Sequence, residues 1–206
     1  MALSGNAKFQ SLLHNIVVFA SGSGTNFQSI IDAVKRGDIS ARIAGLITNR
    51  DHIKAIQRAE DHSIAYSIID PDLLSDSAFS KQLLDQLDHW DTDIIALAGY
   101  LKKIPAQVVE HYENRILNIH PSLLPKYGGK GFFGLKVHKA VLASDDAETG
   151  CSVHIVTQEF DEGPVIAQSK VRIKPNDTPE ILAKRVLAEE HKLYPKAIQN
   201  HIKTSL

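Results

Sequence analysis

The sequence predicts an α/β protein: an open, mostly parallel twisted sheet with helices on both faces and an antiparallel edge in its C-terminal part. Three observations carry this expectation. Short, continuously apolar runs rich in β-branched residues recur through the first half of the chain, the pattern of strands buried on both faces. Segments with apolar residues at helical spacing lie between them, so strand and helix alternate strictly. Later, two further strand-like runs flank an acid-dense turn, Glu159-Phe160-Asp161-Glu162-Gly163-Pro164, and could pair antiparallel.

The elements follow in order. Residues 15–20 read as a buried parallel strand. The loop Ser21-Gly22-Ser23-Gly24-Thr25-Asn26 leads into a helical pattern over residues 27–34, which Gly37 is placed to end. Residues 43–48 form a second strand. Residues 53–62 form a second helix with Ile53, Ile56 and Ala59 on one face. A third strand at 65–69 and a helix at 77–87, carrying Phe79, Leu83, Leu84 and Leu87, come next. Residues 93–100 are nearly all apolar and are expected to be central. Residues 116–120 approach Pro121 as another strand. A helix is expected at 135–143, strands at 151–156 and 165–173, and a last helix from Thr178 with Pro179 in its first position and Glu180 in its first turn. That helix runs towards Tyr194, where Pro195 is expected to interrupt or kink it.

Composition bounds the function. A chain of 206 residues, 43% hydrophobic, suits one substantial core and is short for two enzyme domains. Residues 1–14 read as a poorly ordered extension and residues 15–206 as a single domain. A formal charge of −1 with the two signs mixed along the chain gives no nucleic-acid stripe and no polybasic membrane patch. No apolar run approaches the ~20 residues that span a bilayer, and the first fourteen residues lack the pattern of a secretory signal. A cytoplasmic enzyme is expected. Cys151 is the only cysteine, so no intrachain disulfide is possible; its strand-like neighbours make it a buried small hydrophobe. No His, Cys or Asp cluster has zinc spacing, and no metal is predicted.

The strongest chemical signal is the strand end at Asn118-Ile119-His120-Pro121. Residues two apart on a strand point the same way, so Asn118 and His120 share a face, and Pro121 ends the ladder. An amide donor and an imidazole aimed at one point can hydrogen-bond a developing oxyanion and move a proton. The plain alternative is a core pair satisfied by backbone groups. The Ser21–Asn26 loop is suited to an anion: its glycines let backbone N–H groups approach a phosphate, the helix start adds a favourable dipole, and Ser23, Thr25 and Asn26 add side-chain donors. Phe27 stands where a dinucleotide fingerprint has its third glycine, and the second strand ends in Thr48-Asn49-Arg50 rather than in an acid. A single phosphate is therefore preferred over NAD, with NADP on Arg50 left open. Asp161 is the third candidate. An acid in a turn is usually solvated, but a carboxylate near a histidine favours the imidazolium. Glu159 and Glu162 are its rivals. Residues 126–134 form a glycine-dense, basic, aromatic loop that reads equally as a lid or a connector. His138 and His154 either pack or line the site.

Four stretches in order, Ala20 to Asn26, Ala98-Gly99-Tyr100, Asn118-Ile119-His120-Pro121-Ser122-Leu123-Leu124-Pro125 and Asp161-Glu162-Gly163-Pro164, closely resemble the phosphoribosylglycinamide formyltransferase family, the folate-dependent glycinamide ribonucleotide transformylases. The resemblance runs from about residue 15 to about residue 195. It implies a Rossmann-like formyltransferase fold. It also implies transfer of a formyl group from the cosubstrate 10-formyltetrahydrofolate to the amine of glycinamide ribonucleotide, a step of de novo purine synthesis. By the same resemblance Ser23, Gly24, Thr25 and Asn26 would hold the substrate phosphate and Glu190 its ribose. Asn118 and His120 would stabilise the tetrahedral oxyanion, with His120 also the proton donor. Asp161 would raise the pKa of His120 and organise a proton relay. Leu101, Lys102, Lys103, Ile104, Thr157, Asn118 and Asp161 would contact the folate.

The sequence departs from the family pattern at two places. Lys103 stands where an apolar residue is usual, and Asp76 stands where the family often has an Arg for the folate glutamate tail, so that role is not carried over. Small molecules are the expected partners, with neither nucleic acid nor membrane, on a monomer or homodimer. The rival readings are a formyltetrahydrofolate hydrolase, a methionyl-tRNA formyltransferase lacking its further domain, and an NADP-binding module without transferase activity.

Overall fold

A computed structural model describes residues 13–205. The expected extension at residues 1–14 falls almost wholly outside the described residues. One seven-stranded sheet has the order β3-β2-β1-β4-β5-β6-β7. Its strands are β1 (His14–Phe19), β2 (Ala41–Thr48), β3 (Tyr66–Ile68), β4 (Ile94–Leu97), β5 (Ile116–His120), β6 (Glu148–Ile155) and β7 (Val165–Arg172). β1 to β5 are mutually parallel, while β6 runs antiparallel to both β5 and β7. The helices are α1 (Thr25–Arg36), α2 (Lys54–Asp61), α3 (Asp76–His89), α4 (Ala106–His111), α5 (Leu135–Leu142) and α6 (Pro179–Ser205).

The strand period of two divides the core. In β1, Ile16 and Val18 pack with residues of α1, α2, α5 and α6, whereas Val17 and Phe19 pack with residues of α3 and α4 on the other face. All four are fully buried, which is why β1 reads as an unbroken apolar run. α1 buries Phe27, Ile30, Ile31 and Ala33 and stops where Gly37 turns left-handed at φ 79°, its N–H returning to the Val34 carbonyl. Lys35 and Arg36 sit in the last turn, against the negative end of the helix dipole.

The chain winds outward through β2 and β3, then returns to place β4 on the other side of β1. The connections leaving β1 and β4 therefore run to opposite faces of the sheet, and the crevice above the two carboxyl ends is the usual ligand position in such sheets. Its floor is tied: Ser21 N–H donates to the Gly99 carbonyl at 3.1 Å, and Ser21 Oγ donates to Asn49 Oδ1 at 2.6 Å.

Several element expectations change, among them β6, which begins at Glu148 rather than 151, and a 3₁₀ turn at Pro71–Leu73 that was not expected. α4 was not anticipated; with six residues it is too short to repeat an apolar period, although Val108 and Val109 are buried. β4 ends at Leu97 rather than 100, because Gly99 turns left-handed at φ 79°. α6 continues through Pro195 to Ser205, neither stopped nor divided there. Proline removes one N–H donor, but Tyr194, Ala197, Ile198 and Ile202 are buried on both sides of it and carry the helix along the sheet. No described helix is long and apolar enough to cross a membrane.

Candidate active site

A cavity of about 680 Å³ opens above the carboxyl ends of β1, β4 and β5. The loop after β1, Tyr100 after β4 and the Asn118–His120 pair at the end of β5 all border it, as expected. Leu117 and Ile119, alternating with the polar pair, are buried in the core on the opposite face.

β6 completes this end of the cavity. Its antiparallel register places His154 beside Asn118 and Ser152 beside His120. The β6–β7 turn then folds Asp161 over both. Asp161 Oδ2 lies 3.4 Å from His120 Nδ1, and Oδ1 lies 3.3 Å from His154 Nε2 and 3.5 Å from Asn118 Nδ2. The Gly129 N–H donates to Asp161 Oδ2 at 2.9 Å. His120 Nε2 lies 2.8 Å from the Tyr127 carbonyl. A carbonyl only accepts, so this ring nitrogen carries a proton and Nδ1 is the one that faces Asp161. By the same reasoning His154 Nδ1, 3.0 Å from the Ile155 carbonyl, carries that ring's proton, and its Nε2 accepts from Asn118 Nδ2 at 3.0 Å. One N–H of the Asn118 amide is thereby taken. The other reaches Asp161 only at 3.5 Å and can turn to a developing oxyanion.

Asp161 pulls the His120 pKa upward, the direction expected of it, but does not set the net shift. Burial is the largest influence and holds His120 below its ordinary value; Asp161 and the Tyr127 carbonyl act upward against it, and His154 adds to the lowering. His120 is 4% exposed, which explains why desolvation dominates. For Asp161, burial is the largest influence and pushes upward, but the neighbouring His154 and His120 rings and the Gly129 N–H together hold the carboxyl below its usual range.

The anion loop sits at the other end of the cavity. Gly24 is left-handed at φ 67° and caps α1 without a side-chain bond. A Cβ at Gly24 would stand 2.9 Å from the Ala55 Cβ, so α2 packs tightly on the loop. The first intrahelical bond runs from Gln28 N to the Gly24 carbonyl, which leaves the N–H groups of Thr25 and Asn26 free of helical acceptors. The Asn26 side chain, expected as a donor to the anion, is engaged within the protein: its Nδ2 donates at 2.6 Å to Glu190 Oε2, both residues being buried, which leaves its backbone N–H at the loop. Burial raises the Glu190 pKa, with Asn26 opposing. Arg58, not singled out in the sequence, donates from Nε to the Ser23 carbonyl at 2.9 Å and sets a cation beside the loop.

Leu101, Lys102, Lys103, Ile104 and Thr157 line the same cavity. Lys102 is tied to Asp72 by an ion pair, and the Lys103 ammonium sits 5.6 Å from the centre of the Phe160 ring. Asp76 opens α3 and is not part of the lining. The end of β2 is occupied by internal bonds, Asn49 to Ser21 and Thr48 to the Arg50 backbone, and exposed Arg50 is not in the lining either. Cys151 is fully buried, its thiol pushed up to about 12 chiefly by burial, as suits a packing residue.

Of the two histidines left open in the sequence, His154 meets Asn118 and Asp161, while the contacts of Tyr127 and Gly129 with His120 and Asp161 were not assigned to those residues. For His154 a signal existed, since it alternates with Ser152 on a strand, but the register against β5 that brings it to Asn118 did not. Tyr127 and Gly129 act through backbone atoms, which carry no residue-type signal.

A family model described as formyl transferase matches residues 14–198. The chain is 43% identical over 188 residues to a chloroplastic phosphoribosylglycinamide formyltransferase of Arabidopsis thaliana, covering 89% of this chain and 63% of that protein. It is 40% identical over 185 residues to the phosphoribosylglycinamide formyltransferase of Escherichia coli K12, covering 89% of this chain and 85% of that one. The crystal structure of glycinamide ribonucleotide transformylase 1 from Geobacillus kaustophilus superposes with a TM-score of 0.85 at 41% identity, over 91% of this chain and 98% of that chain. The chain thus spans under two thirds of the plant relative's length and most of the bacterial one's.

Proposed function

The chain belongs to the formyl transferase family, and from that premise we propose that it transfers the formyl group of 10-formyltetrahydrofolate to the amine of N1-(5-phospho-D-ribosyl)glycinamide. The products are the N-formyl ribonucleotide and tetrahydrofolate. In this reading residues 15–206 act as one formyltransferase domain, and its partners are the two small-molecule substrates. The observation that carries it is the convergence of Asn118, His120 and Asp161 in the cavity that also contains the anion loop.

The phosphate rests on the backbone N–H groups from Gly24 to Asn26, with Ser23 and Thr25 adding hydroxyls. Asn26 serves the ribose indirectly, by holding the Glu190 carboxyl in place. The folate lies along Leu101 to Ile104 and reaches Thr157. Its formyl carbon sits over Asn118.

Attack by the neutral amine forms a C–N bond and places negative charge on the formyl oxygen and positive charge on the nitrogen. Asn118 donates to that oxygen through its available N–H. The amine loses one proton and the departing folate nitrogen gains one as its bond to carbon breaks, so one proton must cross the site. His120 can carry it, because acceptors face both of its ring nitrogens: the Tyr127 carbonyl at Nε2 and Asp161 at Nδ1. Imidazolium is accommodated as it forms, although burial keeps the resting ring neutral.

The test is a spectrophotometric assay with a 10-formyl folate, with and without glycinamide ribonucleotide. Folate release strictly dependent on the ribonucleotide, with formylated product, is the expected result. Release without it would make the protein a hydrolase. No release from folded protein in either case would overturn the reading.

A further inference from the structure

A second set of polar contacts converges on the residues just described. The backbone from Tyr127 to Gly129 holds both partners of the central pair: the Tyr127 carbonyl accepts from His120 Nε2 at 2.8 Å, and the Gly129 N–H donates to Asp161 Oδ2 at 2.9 Å. Only Gly128 separates them, and a Cβ there would stand 2.5 Å from Leu124 Cδ2 and 3.2 Å from the Asp161 Cβ. Tyr127 is left-handed at φ 56°, which a non-glycine residue keeps only when its surroundings impose it. Those surroundings are identifiable. Tyr127 Oη donates to Asp146 Oδ2 at 2.7 Å, Lys126 Nζ donates to Asp146 Oδ1 at 2.6 Å, and Ser122 Oγ donates to the Lys126 carbonyl at 2.6 Å. Asp146 lies in the α5–β6 turn and borders a separate, smaller cavity rather than the one above the strand ends.

We infer that Asp146 is a positioning residue: by gripping Tyr127 it fixes the three-residue segment whose backbone holds His120 and Asp161 in register. This rests on the reading of His120 and Asp161 as the proton-carrying pair. The chemistry of the link is specific. A carbonyl at Nε2 keeps the proton on that nitrogen and leaves Nδ1 to exchange with the Asp161 side. If the segment swings, the ring is free to take the other tautomer, and the pair is no longer poised. The groups that face or influence His120 are Asp161 from the β6–β7 turn, His154 from β6 and His138 from α5. None of them is touched by a change at Asp146.

The experiment compares Asp146→Ala, Asp146→Asn, Tyr127→Phe and the Asp146→Ala/Tyr127→Phe double variant in the full chain. Two readouts are taken: kcat and KM across pH, and the titration of His120 followed by nitrogen NMR of the imidazole. Groups that orient a functional histidine from outside, measured at metal sites, typically contribute roughly 10- to 100-fold, and a loss of that order is expected here. Asp146→Ala is expected to lower kcat at least about tenfold, with KM for both substrates within about twofold, and to move the His120 midpoint to lower pH as the carbonyl partner is lost. Tyr127→Phe is expected to move both readouts in the same direction, and the double variant to be no worse than Asp146→Ala alone, since both act through one link. Asp146→Asn keeps an oxygen that can accept from Tyr127 and is expected to recover most of the loss. A folded Asp146→Ala protein with parental kcat and an unmoved His120 titration overturns the inference, as does a double variant whose losses multiply. Should Asp146→Ala fail to fold, the same two readouts on Tyr127→Phe decide. Should the parent protein transfer no formyl group at all, the proposed function fails, while the His120 titration still judges the link.

Discussion

Gly163 offers the sharpest test of how the Asp161 turn is held. A Cβ added there would stand 1.8 Å from the Ile155 carbonyl oxygen, 3.0 Å from its carbon and 3.1 Å from Thr157 Cγ2. The obstacle is backbone, not the end of a flexible side chain. An ordinary contact at that oxygen needs 3 Å or more, so Gly163→Ala must move the turn away from β6 by roughly 1 Å. That motion pulls on the bond between Ile155 N–H and the Pro164 carbonyl, 2.9 Å, which closes the turn. Asp161 lies two residues away, and its contacts with His120 and His154 are already 3.4 and 3.3 Å. A misplacement of about 1 Å in a reacting geometry can cost on the order of 100-fold in rate, and overpacking of this kind typically costs about 1–3 kcal/mol in stability. Gly163→Ala is therefore expected to lower kcat by about 100-fold while ribonucleotide binding at the distant anion loop stays within a few fold. Steady-state kinetics, ribonucleotide titration and thermal denaturation together report the three quantities. A Gly163→Ala protein with kcat within twofold of the parent and an unchanged melting temperature would refute the claim that the close approach at Gly163 sets the position of Asp161.

Other consequences can be checked in parallel. Asn118→Ala removes the proposed oxyanion donor and should lower kcat by about 100- to 1000-fold, with ribonucleotide affinity retained; a loss confined to KM would contradict the role. Asp161→Asn removes the charge that lifts the His120 pKa, so the His120 titration should move to still lower pH, and NMR showing it unmoved or raised would count against the pairing. Glu190 has a raised folded-state pKa, so its contribution to stability is complete below the unfolded value near 4.5 and lost as pH rises through the folded value. Glu190→Gln should accordingly be as stable as the parent or more so at pH 8 by urea denaturation, with the difference closing at acid pH, while ribonucleotide affinity falls; a less stable variant at pH 8 reverses the sign. Tyr194→Phe deletes a fully buried hydroxyl bonded to the Leu97 and Leu117 carbonyls at 3.0 and 2.9 Å. It should cost about 1–3 kcal/mol, read as a melting temperature lower by several degrees, and an unchanged melting point would show those carbonyls to be otherwise satisfied.

Much of the frame is legible because the local pattern and the global architecture agree. The runs of β1 and β4 are apolar throughout because helices cover both faces, and Gly37 ends α1 in the left-handed conformation that glycine tolerates. The shared face of Asn118 and His120 follows from the strand period alone. What could not be read depends on distance in sequence. The contact of Asp161 with His120 requires the β5–β6 register, and the inward turn of Asn26 requires Glu190, 164 residues away. The charge state of His120 is a question of magnitudes: the sequence displays the carboxylate partner but not the 4% exposure that lets desolvation prevail. α4, a single short turn-rich segment after Pro105, is held by burial of Val108 and Val109 rather than by any period of its own.

The position of α6 bears on when in folding the site comes into being. By residue 161 the chain has supplied every group proposed to act on the formyl carbon, yet the hydroxyl of Tyr194 ties the β4 and β5 carbonyls beneath them, and Glu190 fixes Asn26 at the anion loop. These are contacts between residues 77 to 164 positions apart, the kind that form late because a long loop must first be closed. A nascent chain can build most of the parallel sheet from local strand–helix units. Its anion loop and the floor of β5 take final shape only when α6 docks, so the element that completes the hydrophobic core also completes the candidate site.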